Sequence, residues 1–177
     1  MASTRDQLAA EVKFALGNRD DLDSWYPVWI NRAYQHITKT IEFPQARTSA
    51  VLTVVADQHE YTLPTDYFHA YTLRNNDEQA KITRISPATY RTRDTTIRAK
   101  PREYTIASGT TLAIYPADAE AGDELLLDYR KTFPSLSDGA SVHELYDEWE
   151  QAIVQKAMEF AFAFIGAEGQ CRVVPID

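Results

Sequence analysis

The chain has 177 residues, 44% of them hydrophobic and 11% aromatic, and a formal net charge of −8. That is the length of one ordinary domain, apolar enough to fill a core, and it excludes intrinsic disorder. The acidic balance argues against a general nucleic-acid binder. The lone Cys171 excludes a disulfide framework or a cysteine-based zinc site, and no apolar run approaches the roughly 18–20 residues of a membrane span.

Thr4 and Gln7 have the spacing of a capping box and open a first helix with Leu8, Val12, Ala15 and Leu16 on its inner stripe. Gly17-Asn18 ends it. Asp23 or Ser24 is expected to cap a second helix, with Pro27 tolerated in the first turn. There Trp25, Trp29, Ala33, Ile37 and Ile41 step by four, and Pro44 stops the helix. The period then changes to alternation. Val51–Ala56 and Glu60–Leu63 flank Asp57-Gln58-His59 and read as a hairpin-like pair. Phe68–Leu73 and Ala80–Ile85 are further strands around a turn at Asn75-Asn76-Asp77. Ser86 caps a short turn with Pro87 in first position. Glu103–Ala107 and Thr110–Tyr115 bracket Ser108-Gly109, a hairpin turn. Asp123–Lys131 alternates, with Leu125, Leu127 and Tyr129 on one face.

Ser141 and Glu144 again have capping-box spacing, and a long helix is expected from there. Leu145, Trp149, Ile153, Ala157, Phe160, Ala161 and Phe164 form its stripe, but from Ala157 to Ile165 only Glu159 is polar. A helix apolar all round must be covered all round, so Met158, Phe162 and Ile165 are candidates for burial against another subunit. Gly166 and Gly169 are expected to stop the helix, leaving an extended, β-branched tail to Asp177. The fold class is therefore α+β. A helical stem (1–44 and 141–166) carries an antiparallel β-rich insertion (50–132), followed by a tail (167–177), within one domain.

Charge is unevenly spread. Residues 81–102 hold Lys81, Arg84, Arg91, Arg93, Arg98, Lys100 and Arg102 against Asp94 alone, between two acidic flanks. This island is a solvated loop, a surface meeting a neighbour's acidic helix through Arg91, Arg93 and Arg98, or a nucleic-acid contact; composition does not choose among them. Chemistry is sparse. None of His36, His59, His69 and His143 has the spacing of a helical zinc site, and no phosphate loop or nucleophile elbow is present. No catalytic, cofactor or metal residue is assigned. The tyrosines, tryptophans and phenylalanines fall mostly on core stripes. A small hydrolase or sugar-binding module remains the weakest alternative. The N-terminus has no apolar signal core, so synthesis in a reducing cytoplasm is expected.

Several motifs occur together in order: Trp29-Ile30-Asn31-Arg32-Ala33-Tyr34, Tyr61-Thr62-Leu63-Pro64-Thr65-Asp66-Tyr67-Phe68, Tyr104-Thr105-Ile106 before Ser108-Gly109, Leu112-Ala113-Ile114-Tyr115-Pro116, and Leu125-Leu126-Leu127-Asp128-Tyr129. Over about residues 22–165 the chain resembles the head-to-tail adaptor proteins of tailed bacteriophages. The resemblance implies a virion neck protein made in the host cytoplasm. It would form a ring, typically dodecameric, docked on the portal and joined to a stopper or tail protein. It implies no catalysis and no cofactor, and DNA passing through the lumen without sequence-specific binding. An acidic wall suits that passage, because it does not hold phosphates by counterion release. It also implies that the tail, here Cys171, Arg172, Val173, Val174, Pro175, Ile176 and Asp177, reaches into the portal by adding an extended segment to it. Another neck or tail-completion protein of the same design is the alternative.

Overall fold

The computed structural model describes residues 2–171, and their side chains through Gly166. In chain order the elements are α1 (Arg5–Ala15), α2 (Tyr26–Thr40), β1 (Arg47–Thr53), β2 (Glu60–Thr62), β3 (Tyr67–Asn75), β4 (Ala80–Arg84), α3 (Pro87–Tyr90), β5 (Glu103–Ser108), β6 (Thr111–Tyr115), β7 (Glu124–Lys131) and α4 (Glu150–Cys171). The protein is mixed α+β, with an antiparallel-rich sheet and a C-terminal helix. It divides into two compact units, residues 1–45 with 133–177, and residues 46–132.

The helical unit holds α1, α2 and α4. Thr4 and Gln7 form the capping box of α1: Thr4 Oγ1 accepts from the Gln7 N–H at 3.3 Å and Gln7 Oε1 from the Thr4 N–H at 2.7 Å. Gly17 (φ 78°) and Asn18 (φ 55°) adopt left-handed backbone and turn the chain out of it. Leu8, Ala9 and Val12 face the core, while Ala15 is exposed, so the buried stripe lies nearer the N-terminus than the spacing predicts. Neither Asp23 nor Ser24 caps α2. A 3-10 turn over Asp20–Leu22 leads straight into it: the Trp25 N–H bonds to the Leu22 carbonyl at 2.8 Å, and no side-chain cap is made. Trp29, Ile30, Ala33, Tyr34 and Ile37 are buried against α4, where Ile153, Ala157 and Ala161 are fully covered.

Two expectations for the long helix fail. It does not begin at Ser141. Residues 142–146 instead alternate, with His143 and Leu145 buried and Val142, Glu144 and Tyr146 exposed. Ser141 is held in a turn by Asp138, and the Glu144 N–H bonds to the buried Tyr34 hydroxyl at 3.3 Å. A 3-10 turn (Asp147–Trp149) then precedes α4. Nor does it stop at Gly166 or Gly169, but runs through Cys171. A helical glycine costs only about 1 kcal/mol relative to alanine, and the residues around these two are good helix formers. Residues 167–171, expected in an extended tail, are therefore helical; the expectations on Arg172, Val173, Val174, Pro175, Ile176 and Asp177 lie outside the described residues.

The sheet unit is one seven-stranded sheet in the order β1-β7-β3-β4-β5-β6-β2. The turn-linked pairs β3–β4 and β5–β6 form, but each turn starts one residue later than the spacing predicts: Asn75 still pairs with Ala80 and Ser108 with Thr111, so the turns are residues 76–79 and Gly109-Thr110. β1 and β2 do not form a hairpin: β1 pairs with β7, and β2 with β6 at the other end of the sheet. β1 instead matches all seven residues of its length to β7, placing Ala50 and Leu52 toward the core beside Leu127 and Leu125. The sheet is also not purely antiparallel, because α3 and the following segment return the chain so that β5 lies parallel to β4, Thr83 beside Glu103. Tyr61, Leu73, Ile82, Tyr104, Leu112, Ile114, Leu125, Leu127 and Tyr129 form the core under one face of the sheet.

Candidate interaction surfaces

On α4 of the helical unit, residues three and four apart share a face, and the two apolar sides meet different fates. Toward α2, Phe164 sits 4.6 Å from the ring of Trp25 and 5.7 Å from that of Trp29, while Arg32 lies 4.5 Å over Phe160. Toward α1, Val154 and Met158 line an open groove of about 460 Å³ with Ala10, Phe14 and Ala15. Phe14 is 77% exposed on its rim, and Phe162, one turn beyond Met158, is 61% exposed. Ile165 is half-buried. The three α4 residues singled out from sequence thus lie along one incompletely covered ridge. Phe14 joins them, and its signal in the sequence was a large aromatic off the Leu8–Val12 stripe of α1.

In the sheet unit the basic island separates into two groups. Arg93 makes a two-pronged ion pair with Glu103 at 2.9 and 2.7 Å, and Arg98 pairs with Asp57. The Lys100 ammonium lies 2.7 Å from Asp123 and 3.2 Å from the nearly buried Asp118. These contacts hold Lys100 above the usual lysine range; hydrogen bonds from Lys100 and then Asn75 hold Asp123 below the usual carboxylate range. Lys81, Arg84, Arg91 and Arg102 are exposed and make no ion pair among the described residues. Of the three arginines expected at a subunit contact, then, Arg93 and Arg98 are tied to acids of their own unit and Arg91 is not.

The histidines are scattered. His36 packs edge-on to Phe160, and His59 lies 3.1 Å from the Thr95 carbonyl. His143, fully buried, lies 3.1 Å from Glu150, which also accepts the Ser3 N–H at 2.6 Å. Burial pushes the Glu150 carboxyl up, but Ser3 and His143 outweigh it and hold the group below its ordinary range. Among the described residues no three His, Cys, Asp or Glu side chains come together as a metal would need, and no helix is long and apolar enough to cross a membrane.

No curated protein matches the chain. The family model described as SU10 adaptor protein matches residues 3–173, which takes in both units and agrees with the resemblance to phage head-to-tail adaptors carried by the motifs. The chain belongs to the SU10 adaptor protein family.

Proposed function

We propose that this protein is a structural component of the virion neck: a head-to-tail adaptor that forms a ring, typically dodecameric, docks on the portal and links it to the stopper or tail. DNA passes through its lumen without sequence-specific contact, and the protein works without catalysis or cofactor. The observation that carries this reading is the family match across residues 3–173. A ring closes only if each subunit presents two different, complementary faces. The ridge of Phe14, Met158, Phe162 and Ile165 supplies an apolar one, since an exposed contiguous apolar surface marks an interaction site. Arg91 is the cation of the original trio available at such a contact; Arg93 and Arg98 support it indirectly, by fixing the segment that presents Arg91. In this reading the domain acts as one adaptor, its helical part a stem for the sheet, and the portal contact is made by Cys171 and residues 172–177.

The test is deletion of Arg172–Asp177. The expected product is a folded protein with an unchanged circular dichroism spectrum that no longer co-sediments with portal. Undiminished co-sedimentation would remove the tail from the portal contact.

A further inference from the structure

The β3–β4 ladder runs from Asn75 opposite Ala80 to Leu73 opposite Ile82 and ends there. Thr83 and Arg84 then pair with β5, so the two strands fork, and an open cleft of about 430 Å³ lies between them. His69, Lys81, Thr83, Arg84 and Tyr104 line it, and no carboxylate does. Lys81 stands directly across from Arg74, although like charges placed opposite each other on a sheet destabilise it. Tyr104, 2% exposed, is among the residues that line the cleft. The cleft thus gathers cations around a space with no carboxylate of its own.

The anion has a source in the chain itself. Residues 133–155 carry Asp138, Glu144, Asp147, Glu148 and Glu150 and no lysine or arginine. Glu144, Asp147 and Glu148 are exposed, on the bend and 3-10 turn that precede α4. We propose that the β3–β4 fork receives the carboxylates of residues 144–148 from a second copy of this chain. The contact is head to tail, one surface of each copy meeting a different surface of the next, which is the geometry that can close a ring. Carboxylates on a protein suit the cleft better than a phosphate backbone does: Ala70 and Ile82 add apolar lining beside the cations.

The inference deepens the ring reading by naming a contact between copies. Its test is independent of portal binding. A fluorescein-labelled peptide of residues 142–150 is titrated with the full-length chain and followed by anisotropy. Saturable binding is expected, weakening with rising salt and at least tenfold in the double variant K81E/R84E. R91E, outside the cleft, leaves it unchanged. A peptide carrying E144K, D147K and E148K is expected to bind the double variant and not the wild type. Because Lys81 and Arg84 are exposed, the double variant keeps its melting temperature. Absence of saturable binding, or equal binding by K81E/R84E, overturns the proposal. So does displacement of the peptide by short duplex DNA at lower concentrations than by unlabelled peptide, an outcome that would assign the cleft to phosphates.

Discussion

Lys100 shows how a single side chain organises its surroundings. It comes from the polar stretch before β5, and its ammonium bridges Asp118 and Asp123, while Asn75 donates to Asp123 from β3 at 2.8 Å. Asp118 Oδ2 is buried and has no hydrogen bond of its own, so the nearby ammonium is its compensation. Replacing Lys100 by Met leaves that carboxylate buried without its cation, and the thermal midpoint should fall at neutral pH. The pH dependence follows from the shifts. Asp123, held below its ordinary value of 3.8, contributes stability above that value and loses it as pH falls through the folded one. Lys100, held above 10.5, contributes below that value and loses it as pH rises further. The gap between wild type and Lys100→Met should therefore be full between these limits and close in acid. A gap that persists undiminished well below pH 3.8 would show that the ion pair is not its source.

At the scale of an element, α4 carries two kinds of residue that look alike in sequence. Ala157 is fully buried toward α2, whereas Phe162 projects into solvent. Ala157→Leu should overpack that contact and cost about 1–3 kcal/mol in chemical denaturation. Phe162→Ser should change stability by no more than about 0.5 kcal/mol, yet, if the proposed ring uses this ridge, weaken self-association in sedimentation velocity. If Phe162→Ser assembles normally, the ridge is not a subunit contact. The same contrast explains what was legible beforehand. The α1 capping box, the Trp29–Ala33–Ile37 stripe of α2 and the β5–β6 hairpin were visible because each is set by residues within a few positions, although Trp25 and Ile41, expected to extend that stripe, lie exposed just outside the helix. The separation of β1 from β2 was not, since it depends on β7, more than sixty positions later. The start of α4 misled because Ser141 and Glu144 have capping spacing, but the Glu144 N–H is taken by Tyr34, distant in sequence. The pairing of Arg98 with Asp57 spans 41 positions, and no local pattern announces it. Of the candidate sites, the apolar ridge could be read from composition, but the forked cleft could not, because it exists only where two ladders diverge.

At the scale of the molecule, the sheet unit is one uninterrupted stretch of chain, residues 46–132, with its own core. Its first and last strands are neighbours, Arg47 beside Arg130, so its two ends lie close together. Expressed alone, this stretch should fold cooperatively, with a single denaturation transition and protected amides in β3 and β7; a gradual, non-cooperative melt would show that it needs the helices. The order of strands has one more effect, on how the protein is made. β7 sits between β1 and β3, although it leaves the ribosome after every other strand. β1 must therefore wait for β7, its neighbour in the sheet, until residues 124–131 emerge, and α1 and α2 must wait longer for α4. Long-range pairing of this kind is slow and leaves the nascent chain open. A copy stopped before residue 124 lacks the strand between β1 and β3, and one stopped before residue 150 lacks α4. Synthesis order thus leaves a truncated chain without its full set of packed surfaces.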